Sequence, residues 1–471
     1  MGTATICFRS LARGGTTLNK FLSSSPPLQG EFRIGVGSGF AGDRFEPAIE
    51  LARYGHLDSL VFECLAERTI AAAHERKIGN TGPGYDLHII KRILQVAPYL
   101  LPPRKTIITN AGAADPFGAA RDMKIALENA GLKGFQISAV TGDDVLNDLK
   151  FSDVEIIGTS DSLDKYGDRV ISANAYLGAE PIVEALNGGA NIVFTGRNSD
   201  ASLFLAPAQH HFKWDSLDLI AAGTLVGHLL ECAGQLSGGY FSDGFHKVVP
   251  NLAQLGFPYA DLREDGSSIF TKLIGTGGLL TRETVLEQLL YEIDDPSAYL
   301  TPDVILDLRK VQIKDLGEDR VQVTGGRGSK KPEKLKVSIG IRDGYGATGQ
   351  ILYSGIDSLK RASMAGRILR ERWEVVHHRD PSELTVSFIG ANAATPWIDI
   401  ADTTQSKEVA LFAAIQADEK AIGELLCQEV EALYTNGPYG GGGVITTLKE
   451  SISLISALVD RSLVHTKVVN V

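Results

Sequence analysis

Polar side chains follow the short apolar runs of the amino-terminal half of the chain, where turns would begin. Glu63, Asn110 and Asp143 each come at the end of such a run. Because functional groups gather beyond the carboxyl ends of parallel strands, we expect these side chains to converge on one cavity. Two later loops contribute similar groups, and the predicted catalytic set is therefore Glu63, Asn110, Asp143, Asn174, Arg197 and Asp200. The alternative is that Asp and Asn here only cap helices and shape turns.

The chemistry that this set favours is proton transfer next to a carboxyl or thioester group, as in a lyase or hydratase. Glu63 or Asp143 would act as the general base. The amides of Asn110 and Asn174, together with Arg197, would hold the developing enolate or carboxylate. The planar guanidinium of Arg197 is suited to binding a carboxylate through two hydrogen bonds.

A glycine-rich loop follows the first predicted strand. Gly37, Gly39 and Gly42 fit the spacing GxGxxG, and Glu63 ends the next strand. This spacing resembles the dinucleotide fingerprint, so these glycines are candidate cofactor-binding residues and an NAD(P)-dependent oxidoreductase is the alternative function. Asp43 opposes phosphate binding, however, because it places a negative charge directly after the loop.

A second glycine-rich loop surrounds Lys272. The lysine, Thr276 and Gly277 lie just before a predicted helix. Exposed backbone N–H groups beside a cation suit an anionic group such as a carboxylate or phosphate. These three residues are therefore further candidate binding residues, although no GK[ST] sequence closes the loop as in a P-loop.

Metal and nucleophile chemistry have weaker support. Glu63 and Glu67 are four residues apart and could bind a divalent cation, but no histidine joins them at a ligand-like spacing. We predict no metal site, while the cofactor stays unknown and a divalent metal is not excluded.

His228, Glu231 and Cys232 share one face of a predicted helix. They form either a nucleophilic His–Cys pair or the surroundings of a buried, hydrogen-bonded histidine.

Apolar runs alternate with amphipathic helical stretches from residue 33 to about 240, which is typical of a parallel sheet. We therefore expect an α/β fold with a largely parallel sheet and helices on both faces, open and doubly wound rather than a barrel. A second, α+β part follows. The expected domains are residues 31–240, 241–400 and a helical carboxyl-terminal segment, 401–471, beginning with a helix over Lys407–Leu433.

Composition excludes several classes of protein. The formal net charge of −11 gives no overall attraction to nucleic acid. The four cysteines form no CxxC pair, which disfavours a disulfide framework or structural zinc, and no apolar run is long enough for a membrane span.

Residues 1–30 contain no acid, and they are either a flexible extension or a transit peptide. We expect a cytoplasmic protein, with the mitochondrial matrix as the alternative, and leave a homo-oligomer open.

Several long motifs resemble the acyclic terpene utilisation AtuA family, including GSGFAGDRFEPAIELA (37–52), VFTGRNSDASLFLAP (193–207) and GTGGLLTRETVLEQLL (275–290). The resemblance covers residues 33 to about 375. It implies a place in the breakdown of branched acids through coenzyme A thioesters, with coenzyme A as part of the substrate. The expected function is an enzyme acting on a small or branched carboxylic acid or its acyl-CoA thioester. A non-catalytic subunit of a catabolic complex is a further alternative, and the family supplies no catalytic residues.

Overall fold

The structure, a computed structural model, describes residues 22–101, 105–150, 154–397 and 406–471. Most of the predicted extension or transit peptide, residues 1–21, lies outside the described residues. Contacts between Cα atoms divide the chain into two compact units. Among the described residues, unit 1 contains those within 22–160, 173–338 and 456–471, and unit 2 contains those within 161–172 and 339–455.

The described residues form ten α-helices. In chain order they are α1 (Glu46–Tyr54), α2 (Glu67–Ile78), α3 (Ile89–Val96), α4 (Pro116–Asn129), α5 (Glu180–Asn187), α6 (Asp200–Phe212), α7 (Leu217–Leu230), α8 (Arg282–Leu290), α9 (Ser358–Val375) and α10 (Lys420–Asn436).

The same residues form nineteen strands. They are β1 (Phe32–Ser38), β2 (Ser59–Phe62), β3 (Thr106–Thr109), β4 (Ile137–Thr141), β5 (Glu155–Ile156), β6 (Val170–Ala175), β7 (Ile192–Thr195), β8 (Pro258–Leu262), β9 (Ser268–Lys272), β10 (Tyr299–Leu300), β11 (Ile305–Asp307), β12 (Gln312–Gly317), β13 (Arg320–Thr324), β14 (Arg327–Ser329), β15 (Lys334–Ser354), β16 (Thr385–Ile389), β17 (Glu408–Ala417), β18 (Gly441–Asp460) and β19 (Lys467–Asn470).

Unit 1 is built on a ten-stranded mixed sheet in the order β12-β13-β9-β8-β1-β2-β3-β7-β4-β19. The five strands β1, β2, β3, β7 and β4 run parallel to one another. Every residue of β1, β2 and β7 is buried, as expected for parallel strands that are covered on both faces. A separate antiparallel sheet of β10, β11 and β14 completes this unit.

The expected largely parallel, doubly wound α/β fold is wrong. Strands β8, β9, β13 and β12 extend the large sheet through antiparallel pairings, and β19 closes its other edge in the same way. The second sheet of the chain is also antiparallel where β17 pairs with β15 and β16. Alternating apolar runs and helices identified the parallel centre. They carry no information about the hairpin of β8 and β9, which joins β1 although Tyr259 lies 224 residues after its partner Gly35.

Local signals set the ends of several helices that lie against the sheet. Pro116 begins α4, where its missing N–H costs little, and the Asp115 side chain accepts a hydrogen bond from the Gly118 N–H at 3.1 Å. Thr281 and Thr284 form a capping box at the start of α8. The sequence therefore fixes where these helices begin, and the helices fix where the preceding loops lie.

Unit 2 contains the strand order β16-β17-β15-β18 and the helices α9 and α10. Its core includes Trp373 of α9, Leu411 of β17 and Val430 of α10. The predicted helix over Lys407–Leu433 is wrong in its first half, which forms β17. In β17 every second residue is buried, which is the period of a strand: Val409, Leu411, Ala413 and Ile415. The alanines between them made this period hard to recognise in the sequence. The expected final helical stretch is β18 instead.

No helix in the described parts of the chain combines the length and the apolar character needed to cross a bilayer.

Candidate active site

Unit 1 contains a cavity of about 720 Å³ beyond the ends of the central parallel strands. Its walls come from the loops after β1, β2, β6 and β7, from the end of α7, and from the start of β15. Five acidic side chains line it: Glu63, Glu67, Asp200, Glu231 and Glu292. Three cationic side chains join them: Arg197, Lys334 and Lys336.

Glu63 lies directly after β2 and is 7% exposed. Asn110, at the matching position after β3, donates from Nδ2 to Glu63 Oε1 at 3.0 Å. The Leu65 N–H donates to the same oxygen at 2.7 Å, and Asn110 Oδ1 accepts the Cys64 N–H at 2.8 Å. Neighbouring parallel strands thus hold the carboxyl in one orientation.

Burial raises the pKa of Glu63 from its ordinary value of 4.5 to about 8, and the nearby Asp200 carboxyl adds to the increase. The hydrogen bonds from Asn110 and Leu65, and the charge of Arg197, oppose this change without overcoming it. At neutral pH most of the Glu63 carboxyl is therefore protonated. Both its acid and its base forms are accessible near that pH.

Arg197 follows β7 and is 2% exposed. Its Nη1 donates to the Leu65 carbonyl, and its Nη2 contacts Asp200 at 3.0 Å. The guanidinium also lies 4.1 Å from the centre of the Tyr176 ring. Arg197, the residue predicted to bind a substrate carboxylate, thus already forms an ion pair with Asp200. The positive charge of Arg197 compensates the negative charge of Asp200.

Glu67, at the start of α2, has the opposite environment to Glu63. Burial alone would raise the pKa of Glu67, but the Tyr176 hydroxyl donates a hydrogen bond to it and Arg197 and Lys336 attract it. Lys336 Nζ lies 3.2 Å from Glu67 Oε1. Together these groups lower the pKa of Glu67 to about 2, so that the side chain is a permanent anion.

The other end of the cavity holds His228 and Glu231. His228 Nδ1 lies 3.1 Å from Glu231 Oε1, and Nε2 lies 3.1 Å from the Leu289 carbonyl oxygen. Tyr299 packs against the imidazole with ring centres 5.2 Å apart. Burial raises the pKa of the adjacent Cys232 thiol well above its ordinary value, so this cysteine is not a ready nucleophile.

Three predicted catalytic residues do not line the cavity: Asn110, which contacts Glu63 from behind, Asp143 and Asn174. Asp143 Oδ2 accepts hydrogen bonds from Asn174 Nδ2 at 2.9 Å and from the Arg197 N–H at 2.8 Å. Burial raises the pKa of Asp143 to about 6. Neither Asp143 nor Asn174 lines the cavity. The structure therefore brings Glu63, Asn110, Arg197 and Asp200 together and places Asp143 and Asn174 where they support the backbone of Arg197.

The first glycine loop packs inward. Asp43 Oδ2 accepts the Gly39 N–H at 2.9 Å, which occupies a backbone donor that a phosphate would need. A Cβ atom at Gly39 would lie 2.6 Å from the Cys232 carbonyl carbon, so this glycine allows two backbone segments to touch. At Gly37 a Cβ atom would meet the Phe62 ring, and at Gly42 the Phe40 ring. These contacts explain the glycines without a nucleotide.

The second glycine loop lies outside the cavity. Lys272 Nζ contacts Asp319 at 2.8 Å and the Thr276 carbonyl oxygen at 3.3 Å. Thr276 Oγ1 donates to the Leu273 carbonyl at 2.6 Å, and a Cβ atom at Gly277 would lie 2.1 Å from the Asn251 carbonyl oxygen. The lysine and hydroxyl therefore stabilise the loop itself.

No three or more His, Cys, Asp or Glu side chains in residues 22–101, 105–150, 154–397 and 406–471 are placed to hold a metal ion.

Sequence reasoning missed Tyr176, Glu292, Lys334 and Lys336 as cavity residues and the His228–Glu231 pair as part of the wall. Tyr176 lies within a loop that the reasoning did select, two residues after Asn174. The i, i+3 spacing of His228 and Glu231 indicated their contact but not that a cavity lies beside it. Lys336 had no signal, because it lies 269 residues after its partner Glu67 in the sequence.

Comparison with known proteins gives one family. The model of acyclic terpene utilisation family protein AtuA matches residues 32–470, nearly the whole chain. No curated protein and no solved structure matches the chain.

Proposed function

We propose that this chain, which belongs to the acyclic terpene utilisation family, is an enzyme that transfers a proton on a small or branched acyl-CoA thioester. The reaction class is that of a lyase or hydratase. The observation that carries the proposal is the buried Glu63 carboxyl, which lines the cavity and is held by hydrogen bonds from Asn110 and the Leu65 N–H, while burial raises its pKa to about 8. A group of this kind can both give and take a proton at neutral pH.

The electrostatics of the cavity favour a thioester over a free acid. Each of the three lining cations contacts a carboxylate: Arg197 contacts Asp200, Lys336 contacts Glu67, and Lys334 contacts Glu155. A free carboxylate would enter beside Glu67, a permanent anion, with each of these cations already paired. A thioester carbonyl carries no charge, so it avoids this repulsion. The coenzyme A part of the substrate comes from the family resemblance, because a neutral carbonyl group does not by itself identify a thioester.

Arg197 and Asn110 then serve Glu63 rather than the substrate. When Glu63 gives its proton to the carbon next to the thioester carbonyl, it becomes a buried carboxylate. The charge of Arg197 and the hydrogen bonds from Asn110 and Leu65 stabilise that anion. The reverse reaction uses the same carboxylate to remove the proton.

The test compares the wild-type protein with Glu63→Gln on a panel of branched α,β-unsaturated acyl-CoA thioesters and the corresponding free acids. We expect turnover of at least one thioester, none of the free acids, and a loss of about 100-fold or more in Glu63→Gln. Glu128→Gln, which changes an exposed carboxyl at the end of α4, is the matched control and should keep full turnover. Wild-type protein that acts on no thioester, or a fully active Glu63→Gln, would contradict the proposal.

A further inference from the structure

The protonation of His228 is set by its contacts. The histidine lies on α7 with 1% of its side chain exposed. Its Nε2 faces the Leu289 carbonyl oxygen at 3.1 Å. A carbonyl oxygen can only accept a hydrogen bond, so Nε2 carries a proton and Nδ1 is the position that gains or loses one.

His228 Nδ1 and Glu231 Oε1 lie at hydrogen-bonding distance, and without a proton both atoms would be acceptors. The contact between them therefore contains one proton. It joins either an imidazolium to a carboxylate or a neutral imidazole to a carboxylic acid, and both forms make the same hydrogen bond. The second carboxyl oxygen, Glu231 Oε2, is buried and has no hydrogen-bond partner among the described residues. Glu231 itself lines the cavity. A buried carboxyl oxygen without a partner is costly, and a substrate that donates a hydrogen bond would satisfy it.

The groups that face Glu231 come from several segments. Asp200 belongs to α6, Glu292 and Tyr299 follow α8, and His228 and Cys232 flank Glu231 in the sequence. Burial raises the pKa of Glu231 to about 6, and Asp200 and Glu292 add to the increase, whereas the His228 hydrogen bond opposes it. At neutral pH Glu231 is therefore mostly ionised, while Glu63 is mostly protonated.

We propose that the His228–Glu231 pair is the second proton-transfer group of the cavity and acts in the opposite sense to Glu63 when water is added to or removed from the substrate. This inference depends on the proposed function, because it assigns the two halves of one reaction to two carboxyls that line one cavity.

The atoms balance in each direction. In hydration, Glu231 takes a proton from water, the water oxygen bonds to the β-carbon, and the electrons of the carbon–carbon double bond move toward the thioester. Glu63 then gives its proton to the α-carbon. In dehydration, the Glu63 carboxylate removes the α-proton, the carbon–oxygen bond breaks, and protonated Glu231 gives its proton to the departing hydroxyl. Water is the only co-reactant.

The experiment separates the two halves. A branched 3-hydroxyacyl-CoA is incubated in D₂O with the full-length protein, and dehydration and deuterium uptake at the α-carbon are measured together. We expect wild type and the Glu128→Gln control to do both and Glu63→Gln to do neither. Glu231→Gln should lose dehydration by about 100-fold or more while still exchanging the α-proton through Glu63.

A second variant tests the inference even if the Glu231→Gln protein does not fold. His228→Leu removes the hydrogen bond that lowers the pKa of Glu231. The acidic limb of the pH–rate profile should therefore move to higher pH. Glu231→Gln that dehydrates within a few-fold of wild type, or an unmoved limb in His228→Leu, would overturn the inference and leave the function of Glu63 standing. Wild-type protein with neither activity would overturn both.

Discussion

Glu63 and Glu67 are four residues apart and line the same cavity, yet their environments drive them to opposite protonation states. Glu63 lies directly after β2, where burial outweighs the hydrogen bonds from Asn110 and Leu65 and the charge of Arg197 and raises its pKa to about 8. Glu67 lies at the start of α2, where the Tyr176 hydroxyl, Arg197 and Lys336 outweigh burial and lower its pKa to about 2. A carboxyl that changes protonation state near neutral pH can transfer protons, whereas a permanent anion can only organise its neighbours.

The largest expected effect comes from removing the ionisable carboxyl of Glu63. The unfolded chain loses this proton near pH 4.5 and the folded chain keeps it up to about pH 8, so wild-type stability falls as the pH rises through that window. Glu63→Gln, which keeps the acceptor oxygen, should lack this fall. Its stability relative to wild type should therefore grow from about pH 4.5 to 8, to an upper limit of roughly 5 kcal/mol.

Urea unfolding at pH 4, 6 and 9 measures this difference, with Glu128→Gln as the control that should follow wild type throughout. A constant difference between Glu63→Gln and wild type at all three pH values would mean that Glu63 is ionised in the folded protein, like Glu67.

A smaller effect is expected from Asn110→Ala, which removes the donor that holds Glu63. The change also leaves the Cys64 N–H without its acceptor, Asn110 Oδ1. A buried unpaired donor costs about 1–3 kcal/mol, so the free energy of unfolding should fall by that amount. The loss of a stabilising hydrogen bond should also move the pKa of Glu63 further upward, which a shifted basic limb of the pH–rate profile would show. Unchanged stability would contradict the role of Asn110 as the support of this wall.

The smallest effect is expected on the Glu67 side. Tyr176→Phe removes the hydroxyl that lowers the pKa of Glu67. Wild type gains stability from this anion above about pH 4.5 and loses it as the pH falls toward 2, and the variant should lose less. Because Glu67 is partly exposed, the difference should stay below about 1 kcal/mol. Acid unfolding curves of the two proteins measure it, and identical curves would show that Tyr176 does not hold the Glu67 anion.

The sequence predicted the parallel centre of the sheet and the approach of Glu63 to Asn110, because both depend on local rules. Apolar runs such as Ser59–Phe62 and Thr106–Thr109 match β2 and β3 in the structure, and adjacent parallel strands place their end residues side by side.

Local sequence rules could not predict the pairing of strands that are far apart in the chain. The antiparallel strands β8 and β9 join the sheet through registers that no local pattern encodes, so the fold class was wrong. The loop around Lys272 has the composition of an anion-binding site. Lys272 instead forms an ion pair with Asp319, which lies 47 residues later in the sequence. The side chain of Asn174 faces Asp143 rather than the cavity, and orientation of this kind depends on packing.

The central claim, that Glu63 stays protonated well above the ordinary range of a glutamate, can be measured directly. An isotope-edited NMR titration of the glutamate side-chain carboxyls, compared between wild type and Glu63→Gln, identifies the signal of Glu63. We predict that this signal titrates near pH 8. A signal that is already fully ionised at pH 6 would contradict the claim, and the assignment of Glu63 as the proton-transfer group would fail with it.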